Sequence, residues 1–303
     1  MSMTSPTALP PRHLLLAVAV MAVWGCNFVV IKLALAHLTP LLLAALRFVF
    51  VLIPAVFFLR RPVVPWSNLA AYGLLIGAGQ FGILFLAMRH DITPGLASLV
   101  MQVQVFFTIG LSVKFGGERI RRAQIGALLL AVVGLGIILT HTDGSATPLG
   151  LGMAMVAALC WAGGNMVSKS AGPVDMLAYV VWASLFSIPP LFVLAFVFEG
   201  PTAIMHGIES ANAFTWGAVA FQSVGNTMFG YGAWGWLLGR YPASTVAPMS
   251  LLVPVFGMAA STWWLGESLP LWKLTAAAFI MAGLALGILW PRVVAWRIAR
   301  ITP

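Results

Sequence analysis

The residues that could do chemistry in this chain are amides and indoles set inside long apolar runs. Asn27, Gln80, Gln102, Gln104, Asn165, Gln222 and Asn226 each interrupt such a run, and Trp24 and Trp161 stand one helical turn before an asparagine. A carboxamide carries two donors and an acceptor, and a polar group among apolar neighbours costs free energy unless it pairs or meets a polar ligand. Helical spacing sorts them by face. Tyr72 shares a face with Gln80, Ser98 with Gln102, and Gln104 with Thr108 and Ser112; Gln222 and Asn226 lie one turn apart, with Trp234 further along their stripe. At 100° per residue Gln102 and Gln104 diverge by about 200°, so Gln104 is expected between helices. Trp24, Asn27, Gln80, Gln102, Trp161, Asn165 and Asn226 are the expected lining of one midplane cavity. Such a lining suits a small zwitterion: amides for its carboxylate and ammonium groups, aromatic walls for its side chain. The alternative for any single residue is a hydrogen bond that ties two helices together.

Other chemistries find no support. No GxSxG elbow, HExxH pair or phosphate-cradling Gly-Lys loop occurs, so an enzyme is not expected, nor a cofactor or metal site. Cys26 and Cys160, without CxxC spacing or a nearby histidine, are expected to be small buried hydrophobes. No apolar run carries Asp or Glu near its middle, and all five histidines fall at run edges or in loops. A proton-coupled carrier usually keeps a titratable group in its pathway, so facilitated transport or exchange fits better. Lys32, Arg47 and Lys169 are the charges within or near the runs. Arg47 stands about 10 Å into its helix at 1.5 Å per residue. It is expected to snorkel or to bond a carbonyl or helix end, the alternative being a cation for a ligand carboxylate. Glu118 and Glu267 are expected to cap helices or pair with basic neighbours.

The elements that must position these groups follow from composition. Hydrophobic residues make up 61% of the 303 and charged ones 8%, with a mean hydropathy of +1.01, against roughly 25% charged in soluble domains. The apolar residues come in runs of about 20, the length a helix needs to cross a hydrocarbon core of roughly 30 Å; the alternating segments of a membrane barrel are absent. The spacing predicts spans at 14–36, 40–59, 69–89, 94–115, 123–140, 149–171, 174–198, 213–238, 242–264 and 271–290, separated by turn pairs such as Thr39-Pro40, Thr93-Pro94, Asp143-Gly144 and Gly200-Pro201. The expected class is an all-α polytopic membrane protein with ten transmembrane helices. The first run has no small-residue cleavage site and is expected to be a retained helix. The net charge of +9 belongs to run ends rather than to one basic face, which argues against nucleic acid. With the N-terminus inside, the inner segments hold twelve Lys and Arg (Arg12, Arg60, Arg61, Lys114, Arg119, Arg121, Arg122, Lys169, Arg240, Arg292, Arg297, Arg300) and the outer loops two, Arg89 and Lys273. That asymmetry sets both termini in the cytoplasm.

The halves echo each other. Trp24, Asn27 and Lys32 resemble Trp161, Asn165 and Lys169, with Trp and Lys shifted equally. Gly117-Glu118 matches Gly266-Glu267, and Gly134 and Gly283 follow those glutamates at the same interval. Five helices per half is an odd number, so residues 1–143 and 144–303 would form two inverted repeats, an arrangement that puts a substrate site near the midplane.

These residues resemble the drug/metabolite transporter superfamily, specifically its EamA-type ten-helix members. The paired Gly-Glu signatures look like that family's two repeats. Trp24-Gly25 with Asn27-Phe28 and Lys32, Gly95 to Ile109, Leu237 to Tyr241, and Val246 to Val255 are similar to its bacterial exporters of O-acetylserine and cysteine. The resemblance spans nearly the whole chain. It implies export of amino acids or related small metabolites across a bacterial inner membrane, with membrane lipids as surroundings. A transporter of drugs or nucleotide sugars, or a non-transporting scaffold or intramembrane enzyme, are the alternatives. Gln104 and Val105 stand where the family pattern has a proline, which Pro254 keeps in the second half, so the fourth helix is expected to differ locally. The topology is open to a direct check: cysteines introduced in the Asp143 and Glu267 loops should label from outside, and one at Arg121 only from inside. Labelling of the Arg121 and Glu267 loops from the same side contradicts inverted repeats.

Overall fold

The computed structural model describes residues 9–116, 122–141, 143–241 and 243–301; Gly117, Glu118 and Arg121 lie outside them. Among the described residues the regular structure is helical, with one isolated β-bridge between Ile92 and Ala146. The helices are α1 (Pro11–Ala34), α2 (Pro40–Ala55), α3 (Trp66–His90), α4 (Pro94–Phe115), α5 (Arg122–Leu139), α6 (Pro148–Ser170) and α7 (Met176–Glu199). A short α8 (Pro201–Ser210), not expected from the sequence, leads to α9 (213–240), α10 (Ala247–Leu265) and α11 (Leu271–Ile301). Six helices (α1, α3, α4, α6, α7 and α10) are long and apolar enough to cross a membrane, and three shorter apolar stretches lie in α2, α5 and α11. The second span, expected to reach residue 59, leaves the helix at Ala55, just after Pro54.

Outward faces carry large apolar side chains: Leu128, Leu129 and Val132 on α5, and Val193, Phe196 and Val197 on α7, are exposed. Such patches would aggregate in water; against lipid tails they cost nothing. Conversely, Asn27, Arg47, Gln80, Gln102, Gln222 and Asn226 are buried inside.

Proline at the first helical position pre-sets φ and lacks the N–H that would go unpaired there. It opens α1, α2, α4, α6 and α8. Thr147 caps its own helix, accepting from Gly150 N at 2.9 Å. Thr39 and Thr93 do not; distant glutamates cap those helices instead. Glu199, at the end of α7, accepts from Leu41 N (2.7 Å), Leu42 N (3.3 Å) and Thr39 Oγ1 (2.6 Å). Glu267, just past α10, accepts from Gly95 N at 3.1 Å and from the hydroxyls of Thr93 and Ser261, and pairs with Lys273 at 3.2 Å. A carboxylate at a helix N-terminus meets unpaired N–H groups and the positive dipole end. Gly266 (φ 66°) makes the left-handed turn that brings Glu267 back onto α4.

Packing follows a reciprocal pattern. Helix α1 packs on α10 and α9, and α6 on α4 and α3; α2 pairs with α7, α4 with α10, and α5 with α11. The α5–α11 contact is backbone-close at Gly134 and Gly283: a Cβ would fall 2.8 Å from Ala276 O at the first and 2.5 Å from Ala127 O at the second. Some departures from α geometry recur in both halves, while a π-helical stretch at the end of α7, Ala195–Glu199, has no counterpart in α2. Helices α3 and α9 each contain a π-helical stretch, Leu74–Gly82 and Phe221–Phe229, and 3₁₀ turns interrupt the α4 path at Met101–Val103 and open α10 at Ala247–Leu251.

Lys273 is almost fully buried, with Glu267 as its carboxylate partner. Glu267→Ala should therefore destabilise by about 3–5 kcal/mol, because it leaves an uncompensated buried charge. Glu267→Gln combined with Lys273→Met should recover most of that loss. Thermal unfolding of the detergent-purified protein measures both; equal melting points for the single variant and the wild type would show that the pair holds nothing.

Candidate functional site

Helices α1, α3, α4, α6, α9 and α10 converge on a central cavity. Small residues let them approach. A Cβ on Gly25 would lie 2.6 Å from both Phe256 Cβ and Val253 O, so α1 and α10 meet backbone to backbone. Gly77 likewise admits Ser187 of α7 against α3. The cavity is small, about 80 Å³, and partly open. Six of the residues singled out from the sequence line it: Trp24, Asn27, Gln80, Gln102, Trp161 and Asn226. Phe28, Ile31, Phe81, Leu84, Met101, Tyr231 and Val253 complete the wall.

The polar groups in this wall differ in how they are satisfied. Trp24 Nε1 donates to Asn226 O at 3.0 Å. Asn226 lies in the π-helical stretch of α9, where the widened turn departs from the i→i−4 ladder. Trp24 therefore offers a ligand its ring rather than its N–H, and that ring packs on Tyr231 and Trp234 at centroid distances of 5.7 and 5.6 Å. Asn27 Oδ1 and Gln80 Oε1 are buried acceptors with no partner. Two unpaired carbonyl oxygens at one cavity form an environment for a cationic or N–H-bearing group. Gln102, in the 3₁₀ turn of α4, is 4% exposed and contributes a further amide.

Asn165 is placed elsewhere. Its Nδ2 donates to Gln104 Oε1 at 2.9 Å, and Thr108 Oγ1, which also bonds Gln104 O at 2.8 Å, lies 3.4 Å away. This amide cluster ties α6 to α4 rather than lining the cavity. The sequence reasoning missed the aromatic residues Phe28, Phe81 and Tyr231. Phe81 follows Gln80 directly, about 100° around the helix, and both reach the cavity, as do the neighbours Asn27 and Phe28 on α1.

The charged residues take definite places too. Lys32 Nζ donates to Met88 O (2.9 Å) and Arg89 O (2.7 Å), carbonyls at the end of α3. Arg47 does not snorkel: it is fully buried, and its Nη2 donates to Thr227 Oγ1 at 2.9 Å. Cys26 and Cys160 are free thiols, only partly buried rather than core residues as expected. Among the described residues no group of three or more His, Cys, Asp and Glu could hold a metal.

The EamA-like transporter family model matches residues 12–140 and again 148–289. A protein of Salmonella typhimurium named "Probable amino-acid metabolite efflux pump" is 41% identical over 285 residues, 92% of this chain and 95% of its own length. Its namesake in Escherichia coli is 40% identical over 289 residues, 93% and 95% of the two chains. A solved crystal structure 20% identical in sequence superposes with a TM-score of 0.63 over 94% of this chain and 99% of its own, and shows the same fold.

The Gln104–Asn165 bond makes its own prediction. Gln104→Ala and Asn165→Ala should each destabilise the protein by roughly 0.5–1.5 kcal/mol. Combined, they should cost less than their sum, because each removes the same bond. A double-mutant cycle on unfolding in detergent reads the coupling; strict additivity would mean that the bond contributes nothing.

Proposed function

We propose that this chain, which belongs to the EamA-like transporter family, exports amino acids or closely related small metabolites across a bacterial inner membrane by alternating access around the cavity. The observation that carries the reading is the pair of unpaired acceptors, Asn27 Oδ1 and Gln80 Oε1, on residues that line the same cavity as Trp24 and Trp161. Acceptors of this kind receive an ammonium group, and indole faces receive an apolar side chain. The names of the two efflux-pump relatives point to the same substrate class. Trp24, Asn27, Gln80, Gln102, Trp161 and Asn226 form the proposed substrate site; Asn165 supports it from the α4–α6 contact.

The proposed architecture is ten transmembrane helices in two inverted five-helix repeats, residues 1–143 and 144–303, with cytoplasmic termini. The family model's two matches, the reciprocal packing of α1 on α10 and α6 on α4, and the paired π-helical stretches support it. The twelve-to-two split of basic residues supports the orientation. Among the described residues no acidic side chain lines the cavity, and the proposed mode is facilitated movement or exchange.

Transport of labelled amino acids by the purified chain in liposomes tests the reading. Gln80→Ala, Gln102→Ala or Asn226→Ala should weaken apparent affinity by up to roughly tenfold, the value of one hydrogen bond, while the protein stays folded. Reversing an imposed pH gradient should leave the rate almost unchanged. Normal transport by all three variants would place the site elsewhere; loss of folding in all three would make these amides helix ties.

A further inference from the structure

Arg47 is a buried charge close to the cavity but not in its lining. Its side chain is 0% exposed, seven residues into α2, with its own carbonyl accepting from Ser223 Oγ at 2.9 Å. The guanidinium makes one hydrogen bond, from Nη2 to Thr227 Oγ1; Nε and Nη1 have no partner. No carboxylate among the described residues reaches it. Natural proteins seldom leave a buried charge without an opposite charge or a full set of acceptors.

What covers Arg47 is aromatic. Its Cζ sits 3.7 Å from the centroid of the Phe81 ring and 5.1 Å from that of Phe48. Phe81 also lines the cavity, and Thr227 directly follows the cavity residue Asn226. The guanidinium is thus set one aromatic ring behind the cavity wall. Phe81 lies within the π-helical stretch of α3, and π turns recur at functional sites. The cavity itself presents unpaired acceptors from Asn27 and Gln80 but no cation for an acid group.

We propose that Arg47 is the carboxylate-recognising residue of the transport cycle, screened by Phe81 in this structure and met by the substrate's carboxylate once that ring swings aside. The inference rests on the transport reading and sharpens it: the substrate is an α-amino carboxylate, and removing its negative charge removes recognition. A guanidinium suits this task because it stays charged when buried and binds carboxylates through charge-assisted hydrogen bonds.

Competition in proteoliposomes separates this role from a structural one. Uptake of a labelled amino acid is measured against excess unlabelled amino acid, its methyl ester and the matching decarboxylated amine. The wild type should prefer the free acid over the ester and amine by roughly 10- to 100-fold. Arg47→Gln should lose most of that preference and Arg47→Lys should keep part of it, with folding checked by gel filtration and melting. Phe81→Leu, which thins the screen, should raise the preference for the acid. A folded Arg47→Gln protein with the wild-type preference overturns the assignment. If Arg47→Gln does not fold, unchanged preference in both Arg47→Lys and Phe81→Leu overturns it equally. A wild type that moves amino acids beside variants of unchanged preference removes this inference alone, whereas a wild type that moves none removes the transport reading and this assignment with it.

Discussion

Lipid offers a polar group no hydrogen bond, and most of the interior of this protein can be understood from where each buried polar atom finds a partner. The backbone is satisfied by helices. Side chains divide into two groups. Some are closed on protein partners: Gln104 with Asn165, and Asn68 with Tyr179 Oη, Val167 O and Ser170 Oγ, at 2.6–3.1 Å. Others keep open valences: Asn27 Oδ1, Gln80 Oε1, both amide atoms of Gln222, and Arg47 Nε and Nη1. The first group fastens helices. In the second, Asn27 and Gln80 border the cavity, and Arg47 stands behind a ring that borders it. Gln222 is one turn from Asn226 and fully buried.

The same constraint explains why the helices depart from α geometry at the cavity. A straight helix spends every carbonyl on its own ladder, whereas a π or 3₁₀ stretch frees or redirects some of them. In α9 this leaves Asn226 O to receive the Trp24 indole, so a π turn and a tryptophan satisfy each other across α1 and α9. In α3 the neighbours Gln80 and Phe81 both line the cavity, as Asn27 and Phe28 do from the regular α1. The ends of the helices are governed by the opposite requirement, for firm closure. Glu199 and Glu267 each reach across to a neighbouring helix and cap it, and Lys32 closes on the carbonyl end of α3.

Much of this was legible in the sequence. Run lengths and the Thr-Pro pairs located most helix starts, because a proline cannot continue a helix but begins one well. Buried amides were recognisable as an anomaly in apolar runs, and four of those singled out, Asn27, Gln80, Gln102 and Asn226, border one cavity together with Trp24 and Trp161. Asn165 was not separable by the likeness of the halves, yet its spacing held the reason. At 100° per residue Asn27 lies about 60° to one side of Trp24, and Asn165 about 40° to the other side of Trp161. Equivalent indoles thus send their amides to different neighbours, and Asn165 meets Gln104. The π-helical stretches were not legible, since Leu74–Gly82 and Phe221–Phe229 carry no residue pattern that specifies an i→i+5 bond. Phe81, inside the first of these stretches, was missed with it, and Tyr231 lies in the regular turn just beyond the second.

Charge placement ties these features together. Among the described residues, Asp91 receives Thr147, Asp143 receives Ser145 N, Asp175 caps α7, Glu199 caps α2, Glu267 caps α4, and Glu209 is exposed on α8. None is left to neutralise Arg47. The stabilisation it does receive, an aromatic face and one hydroxyl, is of a kind that leaves its charge intact. A desolvated cation–π contact contributes about 2 kcal/mol, whereas an opposite charge at 4 Å contributes roughly 4 kcal/mol even at an effective dielectric constant of 20. A protein carboxylate in that place would have cancelled the interior field and removed any gain from bringing in another. Phe81 and Thr227 make the guanidinium tolerable without neutralising it, and so the interior retains a positive potential beside a cavity whose own polar wall is uncharged.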